Sequence, residues 1–213
     1  TAQNPSHTWS RAGDYAVKLK VTDAQGGEGT ASITVTINQA TATVTLENLN
    51  QTYDGSPKAV SVTTNPSGLS YSLTYNGSTT APTNAGSYAV VATITESGYT
   101  GGNSGTLVIA KAPSVTTVTG GSFTYDGAAH AATATVTGAG GLSLTPAPVY
   151  AGTCSAAPVS VAEGTACTAS YSYAGDANHE ASSDSEAIVI NKQTASVTPN
   201  AAGKTYGEDE PTL

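Results

Sequence analysis

One spacing limits what this chain can fold into more than any other feature. A tyrosine-bearing turn stands 14 residues after the end of an apolar strand three times: Gln39 to Tyr53, Lys111 to Tyr125 and Lys192 to Tyr206. The strands that set the offset read Val35-Thr36-Ile37-Asn38, Leu107-Val108-Ile109-Ala110 and Ile188-Val189-Ile190-Asn191. Self-similarity at the scale of a small domain marks a tandem array. The tyrosines are 72 and 81 residues apart, which predicts two complete modules near the lower end of domain size. These are residues 40–112 and 113–193, with residues 1–39 as the end of a preceding domain and 194–213 as the start of a further one.

The class of fold follows from composition and alternation. Thr, Ser, Val, Ala and Gly dominate, and the residues that fill helices are scarce, so an all-β chain is expected. Tyr15, Val17, Leu19 and Val21 alternate with polar residues, a turn runs through Asp23 to Gly27, and Ala31, Ile33, Val35 and Ile37 alternate again, which predicts a hairpin. In the first complete module Val60 and Val62 alternate, Asn65-Pro66-Ser67-Gly68 turns, and Leu69, Tyr71, Leu73 and Tyr75 alternate. Asn76-Gly77 is a strong turn signal. Gly86-Ser87-Tyr88 then opens a strand with Tyr88, Val90, Ala92 and Ile94 on one face, and Leu107-Val108-Ile109 closes the module. Short strands separated by turns at these intervals predict a small β-sandwich.

Asp54-Gly55 supplies the positive φ of a tight turn before Pro57, and Asp126-Gly127 repeats it. In the second module Ala132, Ala134 and Val136 alternate, Tyr150-Ala151-Gly152 stands where Tyr75-Asn76-Gly77 stood, and Gly164 stands as the counterpart of Gly86. The next strand, Thr165 to Tyr173, carries its tyrosines further along, and the register over 142–173 stays open.

Two resemblances follow from these residues. His7-Thr8-Trp9, Gly13-Asp14-Tyr15, the alternating aliphatics and the Asp23 turn resemble the last two strands of a polycystic-kidney-disease-type (PKD) immunoglobulin-like domain. Tyr53-Asp54-Gly55, Tyr75-Asn76-Gly77-Ser78, Asn84-Ala85-Gly86-Ser87-Tyr88 and the closing Val108-Ile109-Ala110-Lys111 resemble the MBG, or YDG-type, repeats of large bacterial surface proteins. Tyr125-Asp126-Gly127 repeats the opening motif, and Tyr206-Gly207 is its shortened form. The resemblance implies tandem immunoglobulin-like sandwiches in which Tyr53, Asp54, Gly55, Gly86, Tyr88, Tyr125, Asp126, Gly127 and Tyr206 are structural positions. It also implies a secreted or cell-surface bacterial protein, of which this chain is a segment.

Charge and motif content narrow the function. The net charge is −8, and the seven Lys and Arg residues never cluster, so the surface repels a phosphate backbone. No apolar run approaches the roughly 20 residues that span a bilayer, so no membrane insertion is expected within the segment. Cys154 and Cys167 flank a short segment between predicted strands. In an exported protein such a pair forms a disulfide, worth about 3 kcal/mol for a loop of this size; a pair of free thiols, catalytic or metal-binding, is the alternative.

His7, His130 and His179 share no strand, read as surface or turn residues, and accompany no Gly-x-Ser-x-Gly elbow, so no enzyme is expected. No cofactor is assigned. Calcium stiffens many extracellular arrays, and its candidate ligands are Asp54, Asp126, Asp176, Asn178, Glu180, Asp184 and the run Glu208-Asp209-Glu210. Asp54 and Asp126 are already explained as turn residues, and Asp176-Ala177-Asn178 as a loop. Tyr15, Tyr71, Tyr75 and Tyr88 belong to apolar faces, whereas Tyr99 and Tyr150 are free of that constraint and are the candidates for stacking on a sugar. The expected role is a spacer or stalk whose partners are neighbouring modules of the same chain. The alternative is a module that binds a surface glycan or a protein.

Overall fold

A computed structural model describes residues 6–199 and 205–207. The chain is all-β, with two single-turn 3-10 segments, Ala139–Gly141 and Glu163–Thr165, among the described residues. It divides into two compact units whose limits do not follow the linear order. The first holds the chain up to Ser114 together with Gly138–Leu142 and Gly175–Glu180, and the second holds the rest.

The first unit opens with the hairpin of β1 (Gly13–Thr22) and β2 (Glu28–Ile37), antiparallel with Val17 opposite Ile33. Asp23 closes its turn by accepting the Gln25 and Gly27 amides. Val17, Leu19, Val21 and Ile33 are exposed on one face of the hairpin.

The sandwich follows. β3 (Ala40–Thr41) pairs with β9 (Tyr99–Thr100), and β4 (Thr43–Glu47) pairs with β6 (Ser61–Asn65). The larger sheet runs β5 (Asn50–Thr52), β10 (Gly102–Ala110), β8 (Gly86–Ile94), β7 (Tyr71–Tyr75). β5 lies parallel to β10 and the other pairs of that sheet are antiparallel. Alternation sends Val90, Ala92, Leu107 and Ile109 inward, each at most 2% exposed. They meet Val60 and Tyr75 in one cluster and Val44 and Ile94 in an adjoining one. Tyr71 departs from the expected core face and is 42% exposed. It stands at the start of β7, on the outermost strand of its sheet, where fewer neighbours can cover a large ring.

The second unit repeats the plan. β11 (Ser114–Thr119), β13 (Thr133–Gly138) and β14 (Leu142–Leu144) form one sheet. β12 (Gly121–Thr124), β17 (Ser182–Asn191), β16 (Cys167–Tyr173) and β15 (Val149–Gly152) form the other, with β12 parallel to β17. Cys154 and Cys167 are joined in a disulfide, with Cα atoms 5.2 Å apart.

Register settles the stretch that the sequence left open. Ile188 faces Cys167 as Leu107 faces Tyr88, so the half-cystine occupies the position of the tyrosine. Gly164 lies one residue short of the Gly86 register, in the 3-10 turn, where a Cβ would come within 2.5 Å of the Ile190 nitrogen. It is therefore a close-packing glycine rather than a strand opener. Glu208-Asp209-Glu210 lies outside the described residues, and Tyr206 is fully exposed.

Candidate functional site

Two short loops from the second module are built into the first unit, at the corner formed by Tyr53, Asp54 and Gly55. Local hydrogen bonds fix that corner. The Tyr53 amide donates to the Ala110 carbonyl (2.9 Å), which ties it to the end of β10. Asp54 accepts the Ser56 amide (2.8 Å) and pairs with Lys58. The Lys58 contact and the Ser56 amide together hold the Asp54 carboxyl below its ordinary range. On the neighbouring strand the Tyr88 hydroxyl donates to the Asn84 carbonyl four residues back (2.9 Å), and Gly86 makes this fold-back feasible. Its φ is +154°, a backbone conformation that L side chains rarely adopt. Tyr15 makes the same bond to Arg11 (2.8 Å) in the hairpin.

The incoming loops are Gly138–Leu142 and Gly175–Glu180. Gly140 lies under the Tyr53 ring: a Cβ on it would stand 2.5 Å from the Tyr53 hydroxyl oxygen, and one on Gly55 would stand 2.6 Å from the Gly140 Cα. With φ at +64°, Gly140 combines the left-handed backbone and the close approach that together demand glycine. Asn178 reaches the rim, where its Oδ1 accepts the Ala85 amide (2.9 Å) and its Nδ2 donates to Asn84 Oδ1 (3.2 Å). The linker joins in. Ala112 donates to the Asn178 carbonyl and accepts from the Glu180 amide, both at 2.8 Å, and Lys111 Nζ donates to the Asp176 carbonyl at 2.5 Å.

His179 is the centre of this arrangement, and it is a buried residue, 5% exposed, rather than the surface position its sequence context suggests. Its ring meets Tyr53 edge-on, with centroids 5.3 Å apart and planes at 85°. Nδ1 lies 2.9 Å from one Asp176 oxygen and 3.0 Å from the other, and Nε2 lies 2.9 Å from the Ala139 carbonyl. A carbonyl only accepts, so Nε2 must donate. A second donor toward the carboxylate then requires the imidazolium. The Ala139 carbonyl first, and Asp176 second, accordingly raise the His179 pKa above its ordinary value. Asp176 also accepts the Asn178 and His179 amides at 2.7 Å, which shapes the loop that presents the ring.

The remaining candidates sit apart from this corner. His7 meets Trp9 edge-on, and His130 stacks on Phe123 and contacts Asp126 at 3.1 Å. Asp184 accepts the Val118 amide at 2.7 Å. Among the described residues no group of three or more His, Cys, Asp or Glu side chains gathers as a metal site would require. Tyr99 packs on the first unit's core, and Tyr150 packs on the second's while its hydroxyl accepts the Ala132 amide at 3.0 Å. The role of His179 was not legible in the sequence; the only local signal is the Asp176-Ala177-Asn178-His179 turn, which a surface loop would share.

Comparison with known families agrees with this architecture. Residues 42–113 match the MBG domain and residues 1–37 match the PKD domain. Both are immunoglobulin-like, non-catalytic modules of extracellular surface proteins. No curated protein matches the chain.

Proposed function

We propose that this chain, a PKD-type domain end followed by an MBG domain and a second module of the same plan, serves as a non-catalytic spacer in a cell-surface or secreted protein. The observation that carries this reading is the Tyr53 corner. A flexible run of independent domains has no need to bury a histidine of one module against its neighbour and to set an asparagine amide and a glycine turn beside it. A spacer that must keep its modules in register does. The proposed boundaries stay at residues 1–39, 40–112, 113–193 and 194 onward. The partners implied are neighbouring modules.

Small-angle scattering at two concentrations, with and without calcium, tests the reading against a paired variant, Asn178→Ala with His179→Ala. The spacer predicts dimensions insensitive to calcium and concentration, and a broader distribution in the variant. Dimensions that follow calcium or concentration, or a variant identical to the parent, would sink it.

A second reading rests on a separate feature. A groove of about 650 Å³ in the second unit is lined by Ala132, Ala134, Pro146, Pro148 and Tyr150. Its apolar wall and the edge of Tyr150 suit a sugar ring or an extended peptide. Chemical-shift changes at these residues on titration with a glycan library would favour binding, and an unresponsive groove would remove it.

A further inference from the structure

The Tyr-Asp-Gly corner occurs twice, and its two copies match bond for bond. The Tyr53 amide donates to the Ala110 carbonyl, and the Tyr125 amide to that of Asn191, both at 2.9 Å. Asp54 accepts the Ser56 amide, and Asp126 that of Ala128, both at 2.8 Å. Each aspartate faces a basic residue four positions on, Lys58 or His130. The Lys58 amide donates to the Pro82 carbonyl, and the His130 amide to that of Pro158. The Val60 amide donates to the Tyr75 hydroxyl, and the Ala132 amide to that of Tyr150.

The copies differ in what covers them. Gly140 and His179 lie against Tyr53, whereas Tyr125 is 42% exposed among the described residues. A Cβ on Gly55 would strike Gly140, but one on Gly127 would meet nothing within 4 Å.

We propose that the Tyr125-Asp126-Gly127 corner is a docking socket for a further module of this same kind, which places a glycine turn beneath Tyr125 and a second loop against its ring. The occupied Tyr53 corner identifies the partner, since the same backbone scaffold there holds those two loops. The rim departs from the first copy. Where Asn84 and Ala85 receive Asn178, the second module has the Ser160–Glu163 turn, in which Glu163 accepts the Val159 and Ser160 amides. Those two amides hold the Glu163 carboxyl below its ordinary range, so the rim is anionic and selects a donor from the incoming loop.

The inference rests on the reading of the chain as interlocked modules, and tyrosine nitration with peptide mapping separates the two. In the 213-residue chain, Tyr53 should nitrate at least tenfold more slowly than Tyr71, and Gly140→Val with His179→Ala should abolish the difference. Unshielded Tyr53 would overturn the interlock itself. A second copy of residues 112–193 is then placed after Lys192, the counterpart of Lys111, with Tyr125→Phe in the added copy so that only the original ring is read. The proposal expects nitration of the original Tyr125 to slow at least tenfold, and the Gly140→Val, His179→Ala pair in the added copy to restore it.

Unchanged Tyr125 reactivity would overturn the proposal. So would an added copy that fails to fold beside an intact corner, because the first module supports the same sequence. Shielding of Tyr125 in the unextended chain that grows with concentration would assign the socket to a second copy of the chain instead.

Discussion

At the scale of single residues, His179 and Gly140 carry the corner, and each makes a separable prediction. His179 is raised in pKa because two acceptors, the Ala139 carbonyl and Asp176, face its two nitrogens, with Lys111 on the Asp176 carbonyl and Tyr53 on the ring. A raised folded-state pKa gives a contribution that is complete below the unfolded value of about 6.5 and is lost as pH rises through the folded value. The stability difference between the parent and His179→Gln, measured by urea unfolding from about pH 5 to 9, should therefore be largest at the acid end. A difference that grows toward alkaline pH would mean the ring is held neutral. Gly140→Ala and Gly141→Ala both place a side chain at positive φ, at about 1 kcal/mol. Only the first also meets Tyr53, so it should destabilise the first unit by a further 1–3 kcal/mol or so, and equal effects would show that the ring moves aside freely.

At the scale of elements, the two sandwiches solve one packing problem with different side chains. By hydrogen bonding and register Val60 corresponds to Ala132, Val90 to Ala169 and Ala92 to Tyr171, and Tyr171 packs on the second core. The Cys154–Cys167 bridge contributes about 3 kcal/mol to the second, and it does so from the register position of Tyr88. Reduction should lower the unfolding transition of the second unit by about 3 kcal/mol and leave that of the first in place, as two-transition calorimetry would show. Tyr88→Phe should act on the first unit alone, by about 1 kcal/mol, because it removes the hydroxyl donor to the Asn84 carbonyl and keeps the ring.

At the scale of the whole molecule, the compact units and the sequence modules are not the same partition. Asn178 belongs by sequence to the second module, yet its amide group satisfies Ala85 and Asn84 of the first. Asn178→Ala should accordingly lower the first unit's transition more than the second's, and the reverse order would return these loops to the module that encodes them. The sequence by itself determined the strand alternation, the Asn76-Gly77 turn with both residues at positive φ, the tyrosine-bearing repeat and the cysteine pair. Each of these is a local matter of side-chain period, turn chemistry or chain proximity. Tertiary structure alone decided that Tyr71 faces solvent, that Cys167 stands where a tyrosine stands in the sister module, and that His179 is buried with both nitrogens engaged. Those outcomes depend on partners up to about 130 residues away, as with Tyr53 and His179, and no periodicity within a strand or loop encodes which surface will arrive to cover it.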